Sequence, residues 1–405
     1  MISSQISAES AKAVILASTG LLTPYNKKAH KEDVFSTIQL MGVLQIDTIN
    51  VIARSPYLVL WSRLGNYTPT WLDELLAENK IFEHWSHAAS FIPIEDYPLY
   101  RRFMLDAERG YWLRSDQWIN ENQTLVQEMI QTIKQNGPVM AKDFKRKDGK
   151  KSLWWDRKIE KITLEHLYNA GQVMIASRKN FHRVYDLREN ILNNWQDQST
   201  PPKNIVYQNL VEKAIQSMGI ARRVWVPDYF RTPKKETFSA IDQLLQEGKL
   251  ISIDIQGWES AGLIHHSKTN LLEQAQTGQL LPTLSTLLSP FDPLIWDRKR
   301  TREIFDFEFS LECYLPKAKR KYGYFNLPIL HNGNIIGRLD PKAHRKEGIM
   351  EIKAIHMRQD IKLNDQIALE IALLLKRFAA WHNSYEIKIT HPEPTDFINQ
   401  IEESI

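Results

Sequence analysis

Residues 159–187, IEKITLEHLYNAGQVMIASRKNFHRVYDL, decide the fold class. Apolar residues recur three and four positions apart over Lys158–Ala170, which predicts an amphipathic helix that ends before a glycine. Two short β-branched or apolar runs follow, Val173–Ser177 and Val184–Leu187, and the basic stretch Arg178–Arg183 separates them. Such runs predict a hairpin. A helix followed by a hairpin with a basic tip is the final part of a winged helix.

The segments before and after this stretch extend the same layout. Upstream, an amphipathic helix is predicted over Leu125–Gln135 and a short second helix over Val139–Phe144, so three helices precede the hairpin. The region from about 203 to 267 repeats this order, and the first segment could be a third, more divergent copy. Its predicted elements are helices over Ile205–Met218 and Phe238–Glu247, a turn or helix at Val226–Phe230, and strands over Leu250–Ile255 and Ala261–His265.

The character of the chain changes from Leu284 onward. β-Branched and aromatic runs alternate with turns there, the turn Asn332-Gly333-Asn334 is strong, and a long helix is predicted over Asp365–Trp381. We therefore predict an α+β protein with tandem winged-helix (helix-turn-helix) modules and a C-terminal β-rich α+β domain. The expected boundaries are an N-terminal winged-helix-like module over 1–120, a second winged helix over 121–200, a third over 201–283, and the C-terminal domain over 284–405.

Composition limits the class of protein without naming it. The 405 residues are 43% hydrophobic and 25% charged, as in an ordinary globular protein. The net charge of +4 permits an anionic partner, and basic clusters lie at Lys142–Lys151, Arg298–Arg302 and Lys317–Lys321, although each could be a solvated surface. Cys313 is the one cysteine, which excludes an internal disulfide. Neither a signal peptide nor a membrane span is recognised, so we expect a cytoplasmic protein.

The segment Gln45-Ile46-Asp47 is the strongest candidate for chemistry. In an extended chain, residues two apart point to the same face, so a carboxylate and an amide would lie side by side. A carboxylate can stabilise the positive charge that builds on a sugar when its base departs, or deprotonate a water that the amide orients. The alternative is structural: Asp47 would cap a helix over Thr48–Ala53, and Gln45 would be merely polar.

Other polar residues are weaker candidates. Arg54 could contact a backbone phosphate or form a surface ion pair. His84 and His87 could bind a metal only if their segment were helical, and no third ligand accompanies them, so hydrogen bonding to DNA or a structural role is the better interpretation. No Walker A, G-x-G-x-x-G, G-x-S-x-G or H-E-x-x-H motif occurs, which disfavours ATPases, Rossmann enzymes, α/β-hydrolases and zincins.

Four strings resemble landmarks of one family, the YcaQ-like (AlkX-like) winged-helix DNA glycosylases. They are Leu44–Ser55 (LQIDTINVIARS), His87–Ser90 (HAAS), Leu288–Arg298 (LSPFDPLIWDR), and Tyr322–Phe325 (YGYF) followed by Gly337–Asp340 (GRLD). The resemblance spans about residues 8–385. It implies a concave DNA-binding face, excision of N-alkylated purines, and unhooking of purine-linked interstrand crosslinks.

The family's catalytic motif, a Gln, an apolar residue, then Asp or Gln, transfers to Gln45 and Asp47. Asp at the third position implies the broader-acting branch of the family. No lysine lies in the motif, so we expect a monofunctional hydrolase that needs no metal or cofactor. We also expect the protein to be a monomer and to act on double-stranded DNA. The DNA-contact candidates are Arg54, His87, Lys142, Lys145, Arg146, Arg178, Lys179, Arg183 and Arg298.

Three other functions stay open at this point. Winged helices are more often binders than enzymes, so a non-enzymatic regulator is the main alternative, and it would not need Gln45 and Asp47 together. A nuclease would want a cluster of metal-binding carboxylates, and none is evident in the sequence. A scaffold that recruits repair factors is the third.

Overall fold

Helices and strands are interspersed along the chain, as expected for an α+β protein. The computed structural model describes residues 5–106, 115–144, 159–391 and 395–405. Within these residues the helices are α1 Ala8–Ser18, α2 Lys31–Met41, α3 Ser55–Leu64, α4 Thr70–Ala77, α5 Tyr97–Leu105, α6 Ser115–Glu121, α7 Gln123–Asn136, α8 Ile159–Asn169, α9 Arg188–Ile191, α10 Lys203–Met218, α11 Val226–Tyr229, α12 Lys234–Gln246, α13 Thr269–Gln276, α14 Arg298–Phe305, α15 Asp365–Trp381 and α16 Thr395–Ser404.

The strands of the described residues range in length from two to eleven residues. They are β1 Gln5–Ile6, β2 Leu44–Gln45, β3 Ile81–Trp85, β4 Ala89–Pro93, β5 Val173–Lys179, β6 His182–Leu187, β7 Ile220–Arg222, β8 Leu250–Ile255, β9 Gly262–His265, β10 Ser285–Leu287, β11 Leu327–His331, β12 Asn334–His344, β13 Ile349–Met357 and β14 Glu386–Ile389. The chain divides into two compact units, the first from residues 1–68 and 211–405 and the second from residues 69–210.

Two sheets organise the first unit. A four-stranded sheet has the order β1-β8-β9-β7, and a five-stranded sheet has the order β10-β11-β12-β13-β14. The tight turn predicted between β11 and β12 is present, with Asn332 and Gly333 both at positive φ (47° and 83°). One core links α1 to both sheets, and its members include Val14, Leu16, Ile253, Ile264, Leu288, Leu330 and Ile335.

The second unit contains residues 159–187, the segment that predicts the fold class. β5 and β6 form the predicted antiparallel hairpin, and its tip turns through Asn180 and Phe181, both at positive φ. The predicted helix over Val139–Phe144 is wrong. Val139 instead pairs with Tyr185, since each backbone N–H donates to the other residue's carbonyl (2.8 and 2.7 Å), and a turn follows. A pairing with a distant strand thus overrides the local helical pattern.

The α+β class is confirmed, whereas the winged-helix arrangement of the modules stays a prediction. Within the second unit the order of α7, α8 and the β5–β6 hairpin agrees with it. Over residues 203–265 the order of α10, α11, α12 and the β8–β9 hairpin agrees as well. The division into four domains over 1–120, 121–200, 201–283 and 284–405 also stays a prediction.

Candidate functional site

The Gln45-Ile46-Asp47 segment lies where a helix ends and a loop begins. α2 stops at Gly42, whose left-handed conformation (φ 68°) turns the chain against Phe230. Only Leu44 and Gln45 are strand, and the chain then runs irregularly to α3. The alternative in which Asp47 caps a helix over 48–53 is therefore wrong, because residues 46–54 contain no helix. We call residues 46–54 the catalytic loop, because they include the candidate catalytic residue Asp47.

The Asp47 carboxylate is held in place and partly removed from water. Its Oδ1 accepts a hydrogen bond from the Ile49 backbone N–H at 2.7 Å. Burial raises the pKa of Asp47 above the ordinary 3.8, and the Ile49 bond opposes this in part. A carboxylate with a raised pKa is a better proton acceptor than an exposed one. Its position suits it both to face a developing cation and to take a proton.

Gln45 offers a polar group in an apolar setting. The residue is buried beside Leu44 and Ile46, and its Oε1 has no hydrogen-bond partner among the residues that the structure describes. A buried amide oxygen without a partner costs free energy, on the order of 1–3 kcal/mol. Such a group is available to a water or to a polar atom of a substrate.

The second half of the catalytic loop is fixed by the end of β12. Ala343 donates its backbone N–H to the Val51 carbonyl at 3.3 Å. The Arg345 guanidinium donates to the Ile52 carbonyl and, at 3.3 Å, to Asn50 Oδ1. Because these bonds join segments almost three hundred positions apart, they tie the loop to the five-stranded sheet.

The LSPFDP string fixes the helix that follows the loop. Ser289 Oγ and Ser55 Oγ are 2.7 Å apart at the start of α3. The Asp292 carboxylate binds the Arg63 guanidinium in bidentate fashion at 2.6 and 3.0 Å, with both side chains almost fully buried. Arg63 also donates to the Thr19 carbonyl at 2.7 Å. The string thus supports the site through α3.

The YGYF and GRLD strings interlock. Asp340 is buried, which raises its pKa, and its carboxylate accepts from the Tyr324 and Phe325 backbone N–H groups, each at 3.4 Å. Gly323 has φ +108°, and a Cβ there would lie 2.2 Å from Asp340 Oδ2, so only glycine fits. The Arg338 guanidinium lies over the Tyr322 ring at 3.9 Å. These contacts hold the YGYF segment, residues 322–325, against the GRLD segment, residues 337–340.

Two residues that the sequence analysis did not place at the site lie near Asp47. Burial raises the pKa of the Cys313 thiol, and the Asp47 charge raises it further. Burial, Cys313 and the Asp47 charge together raise the pKa of the Tyr314 hydroxyl. The only hint in the sequence was the basic cluster Lys317–Lys321 that follows.

The basic hairpin tip has a different character from the one expected. Arg178 Nη2 and Nε donate to Glu83 Oε2 at 2.7 and 3.0 Å, and Arg183 Nε donates to Glu83 Oε1 at 2.5 Å. The Glu83 side chain is fully buried. The two arginines thus neutralise a buried carboxylate, whereas Lys179 at the tip is exposed. A DNA contact by any of the three stays a prediction.

The remaining DNA-contact candidates are dispersed. Lys142 is exposed in a turn, and Arg298 is exposed at the start of α14. Arg54 is half-buried at the end of the catalytic loop, and His87 is half-buried in the turn between β3 and β4. Lys145 and Arg146 lie outside the described residues. The structure therefore brings only Arg54 into one segment with Gln45 and Asp47, and the contacts of the others stay predictions.

The histidine pair does not meet the condition for a metal site. His84 is buried within β3, with its ring 5.3 Å from that of Tyr168, and His87 follows in a hairpin turn, so the two do not share a helix. Across the described parts of the chain, no group of three or more His, Cys, Asp or Glu side chains is placed to hold a metal ion. No helix among these residues is long and apolar enough to cross a membrane.

Comparison with known proteins identifies the class of enzyme. The family model of the AlkZ-like DNA glycosylases matches residues 38–381, so the chain belongs to this family and is a DNA glycosylase, a hydrolase of N-glycosyl bonds that serves DNA repair. Its fold is similar to that of Streptomyces sahachiroi DNA glycosylase AlkZ, with a TM-score of 0.61 at 12% sequence identity. That match covers 95% of this chain and 100% of the other. The matched family region includes Gln45 and Asp47.

Proposed function

We propose that this protein is a monofunctional DNA glycosylase that removes N7-alkylated purines and unhooks purine-linked interstrand crosslinks, with Asp47 and Gln45 as its catalytic residues. The observation that carries the proposal is a half-buried carboxylate of raised pKa, two residues from a buried amide, in a loop whose second half is fixed by Arg345 and by the Ser55–Ser289 contact. A regulator that only binds DNA would need neither group, and family membership favours the enzyme.

The leaving group explains why one carboxylate is enough. Alkylation at N7 places a positive charge on the purine. When the bond between C1′ and N9 breaks, its electron pair moves onto the purine and neutralises that charge, so protonation by an acid is not needed. Positive charge then develops on the sugar, as in other glycosyl transfers. In the proposal, the Asp47 carboxylate faces this cation, and the desolvated setting strengthens their attraction.

The second half of the reaction adds water to C1′. One water proton passes to Asp47 as the new C–O bond forms, leaving an abasic sugar and a neutral free base. The raised pKa of Asp47 favours this transfer. Gln45 Oε1 would accept a hydrogen bond from the same water and orient it, which would satisfy its otherwise unpartnered oxygen.

The absence of a lysine from Gln45–Ser55 supports a monofunctional reaction. An amine nucleophile would form a Schiff base with the sugar and then nick the strand. With water as the nucleophile, the strand stays intact at the abasic site. We therefore expect free base and an alkali-labile site, with no strand break before alkali is added.

A crosslinked purine sets a geometric condition. A base that is tied to the opposite strand cannot be swung fully into a deep pocket, as most base-flipping enzymes require. We propose that Asp47 approaches the sugar from an open surface while the adduct stays within the duplex. A complex with DNA in which the base lies extruded in a closed pocket would refute this part of the proposal.

The DNA-contact surface is proposed on charge. Lys142, Lys179 and Arg298 are exposed and suit phosphate contacts. Arg54 adjoins the catalytic loop and is the candidate for a phosphate next to the lesion. Replacing an exposed lysine that contacts a phosphate by alanine should reduce the salt dependence of binding. The slope of the logarithm of the binding constant against the logarithm of the salt concentration should fall by about 1.

Base release from defined duplexes tests the proposal. Wild type is incubated with a duplex that carries one N7-methylguanine, or one nitrogen-mustard crosslink, in excess EDTA, and the products are separated by chromatography and denaturing gels. We expect free 7-methylguanine, an unhooked crosslink and no nick before alkali. Asp47→Asn should lose base release. Its matched control is Asp254→Asn, which changes an exposed aspartate on β8 of the same unit and should leave base release unchanged. Binding without release would favour the regulator instead.

A further inference from the structure

A short segment next to Asp47 folds back on itself and pushes two residues outward. The Glu312 carboxylate, buried, accepts a hydrogen bond from the Tyr322 backbone N–H at 2.8 Å. Arg320 Nε donates to the Leu315 carbonyl at 2.9 Å. These bonds close residues 312–322 into a loop, which we call the tip loop, and Tyr314 and Leu315 form its outer end.

The outer end is large, apolar and exposed. Tyr314 has 79% of its surface exposed and Leu315 has 41%. Exposed apolar groups of this size, side by side, mark a contact surface more often than an ordinary surface position. The neighbouring rings are held differently: Arg338 lies 3.9 Å from the Tyr322 ring, and Arg320 lies 4.8 Å from the Tyr324 ring. Of the three tyrosines in residues 312–325, Tyr314 is the one that projects outward.

The charged residues around the outer end indicate which kind of partner it fits. Lys317, Lys319 and Lys321 are exposed in the same loop, directly after the apolar pair. An aromatic ring flanked by lysines matches a nucleic acid, whose phosphates are anionic and whose bases have apolar faces. Cys313 and Tyr314 lie near enough to Asp47 for its charge to raise the pKa of both side chains. The tip loop thus joins the candidate catalytic carboxylate to a surface that suits DNA.

We propose that Tyr314, supported by Leu315, enters the DNA duplex beside the damaged nucleotide and stacks on an adjacent base, which holds C1′ of the damaged sugar against Asp47. The proposal rests on the DNA glycosylase function of the chain and adds the residue that opens the duplex. Insertion of apolar side chains between base steps is a known way to unstack and kink DNA, and the released base surface is covered by the inserted ring.

A stable product analogue isolates this step from chemistry. The probe is a duplex that carries one tetrahydrofuran abasic site with 2-aminopurine as its neighbour, and both affinity and 2-aminopurine fluorescence are measured. Tyr314→Ala should weaken binding roughly 10- to 100-fold, as expected for the loss of one base–aromatic stack, and should abolish the fluorescence change seen with wild type. Tyr314→Phe, which keeps the ring, should behave as wild type.

The controls separate insertion from folding and from general binding. Tyr385→Ala removes a tyrosine that is 91% exposed elsewhere in the same unit and should change neither readout. Wild-type affinity and fluorescence in Tyr314→Ala would overturn the proposal, and so would equal losses in Tyr314→Phe. Because this duplex has no base to release, a failure of the proposed chemistry appears separately, as an absence of base release by wild type.

Discussion

Replacing Asp292 by asparagine should destabilise the protein by about 3–5 kcal/mol, because it removes one partner of a buried ion pair and leaves the other. The Arg63 guanidinium keeps its bonds to the Thr19 and Val59 carbonyls, at 2.7 and 2.9 Å, but loses its counter-charge in a place where it is about 2% exposed. Asparagine retains one oxygen for the Leu294 backbone N–H, which donates to Asp292 Oδ1 at 2.9 Å. The loss is therefore electrostatic rather than a loss of packing.

Urea denaturation followed by circular dichroism measures this loss. The midpoint should fall while the slope of free energy against urea stays unchanged, since the surface exposed on unfolding is the same. Adding Arg63→Met to Asp292→Asn should cost less than the sum of the two single changes, because the second change removes the unpaired charge. Asp242→Asn is the matched control: it breaks the exposed pair with Arg223 and should cost no more than about 1 kcal/mol.

A loss below about 1 kcal/mol in Asp292→Asn, or strict additivity with Arg63→Met, would refute the reasoning. Either result would mean that water reaches the pair and that the LSPFDP string does not secure α3 through this contact. Because the string is argued to support the catalytic loop through α3, base release near the unfolding temperature should fall in step with stability.

Three further predictions concern the site itself. Because burial raises the pKa of Asp47 and the ionised form is the active one, kcat/KM should fall with acidification around a midpoint above 3.8, and a midpoint at or below that value would contradict the burial. Arg345→Met should free the Ile52 carbonyl and lower the single-turnover rate about 10-fold or more with little change in DNA affinity, whereas an unchanged rate would show that the loop needs no such tie. Gly323→Ala should lower the thermal midpoint, because its Cβ would meet Asp340 and its φ is positive, so an unchanged midpoint would contradict the interlock.

Local patterns were sufficient where a segment's structure depends on its own residues. The helix over Asp365–Trp381 and the turn at Asn332-Gly333 were predicted at the positions observed. Both depend on short-range features, namely apolar spacing and residues that tolerate positive φ. The segment Val139–Phe144 failed for the opposite reason, since its structure depends on Tyr185, more than forty residues away.

Candidate residues for the site could be selected from the sequence, but the contacts that hold them in place could not. Gln45 and Asp47 were selected because their residue types and spacing suit glycosyl transfer. Arg345 and Asp292 fix the loop and the helix after it from positions more than two hundred residues away, and a single sequence gives no contact between such positions.

The hairpin tip is a second case in which a contact between distant residues could not be predicted from the sequence. Arg178 and Arg183 were selected as DNA-contact candidates because they lie at the basic tip of the predicted wing, and that contact stays a prediction. In the structure both bind Glu83, a buried carboxylate about a hundred positions upstream. Acidic residues are rarely fully buried unless they are paired. Charge patterning alone does not show which distant basic residues pair with a given carboxylate, so the burial of Glu83 could not be inferred from it.

The most direct test of the central claim is the single-turnover rate of 7-methylguanine release by wild type and by Asp47→Asn, with DNA affinity measured for both. We expect Asp47→Asn to bind the duplex as wild type does but to release base about 10²- to 10⁴-fold more slowly, the usual contribution of a proton-accepting side chain. Release by Asp47→Asn at the wild-type rate would contradict it and would place the chemistry outside the Gln45-Ile46-Asp47 segment.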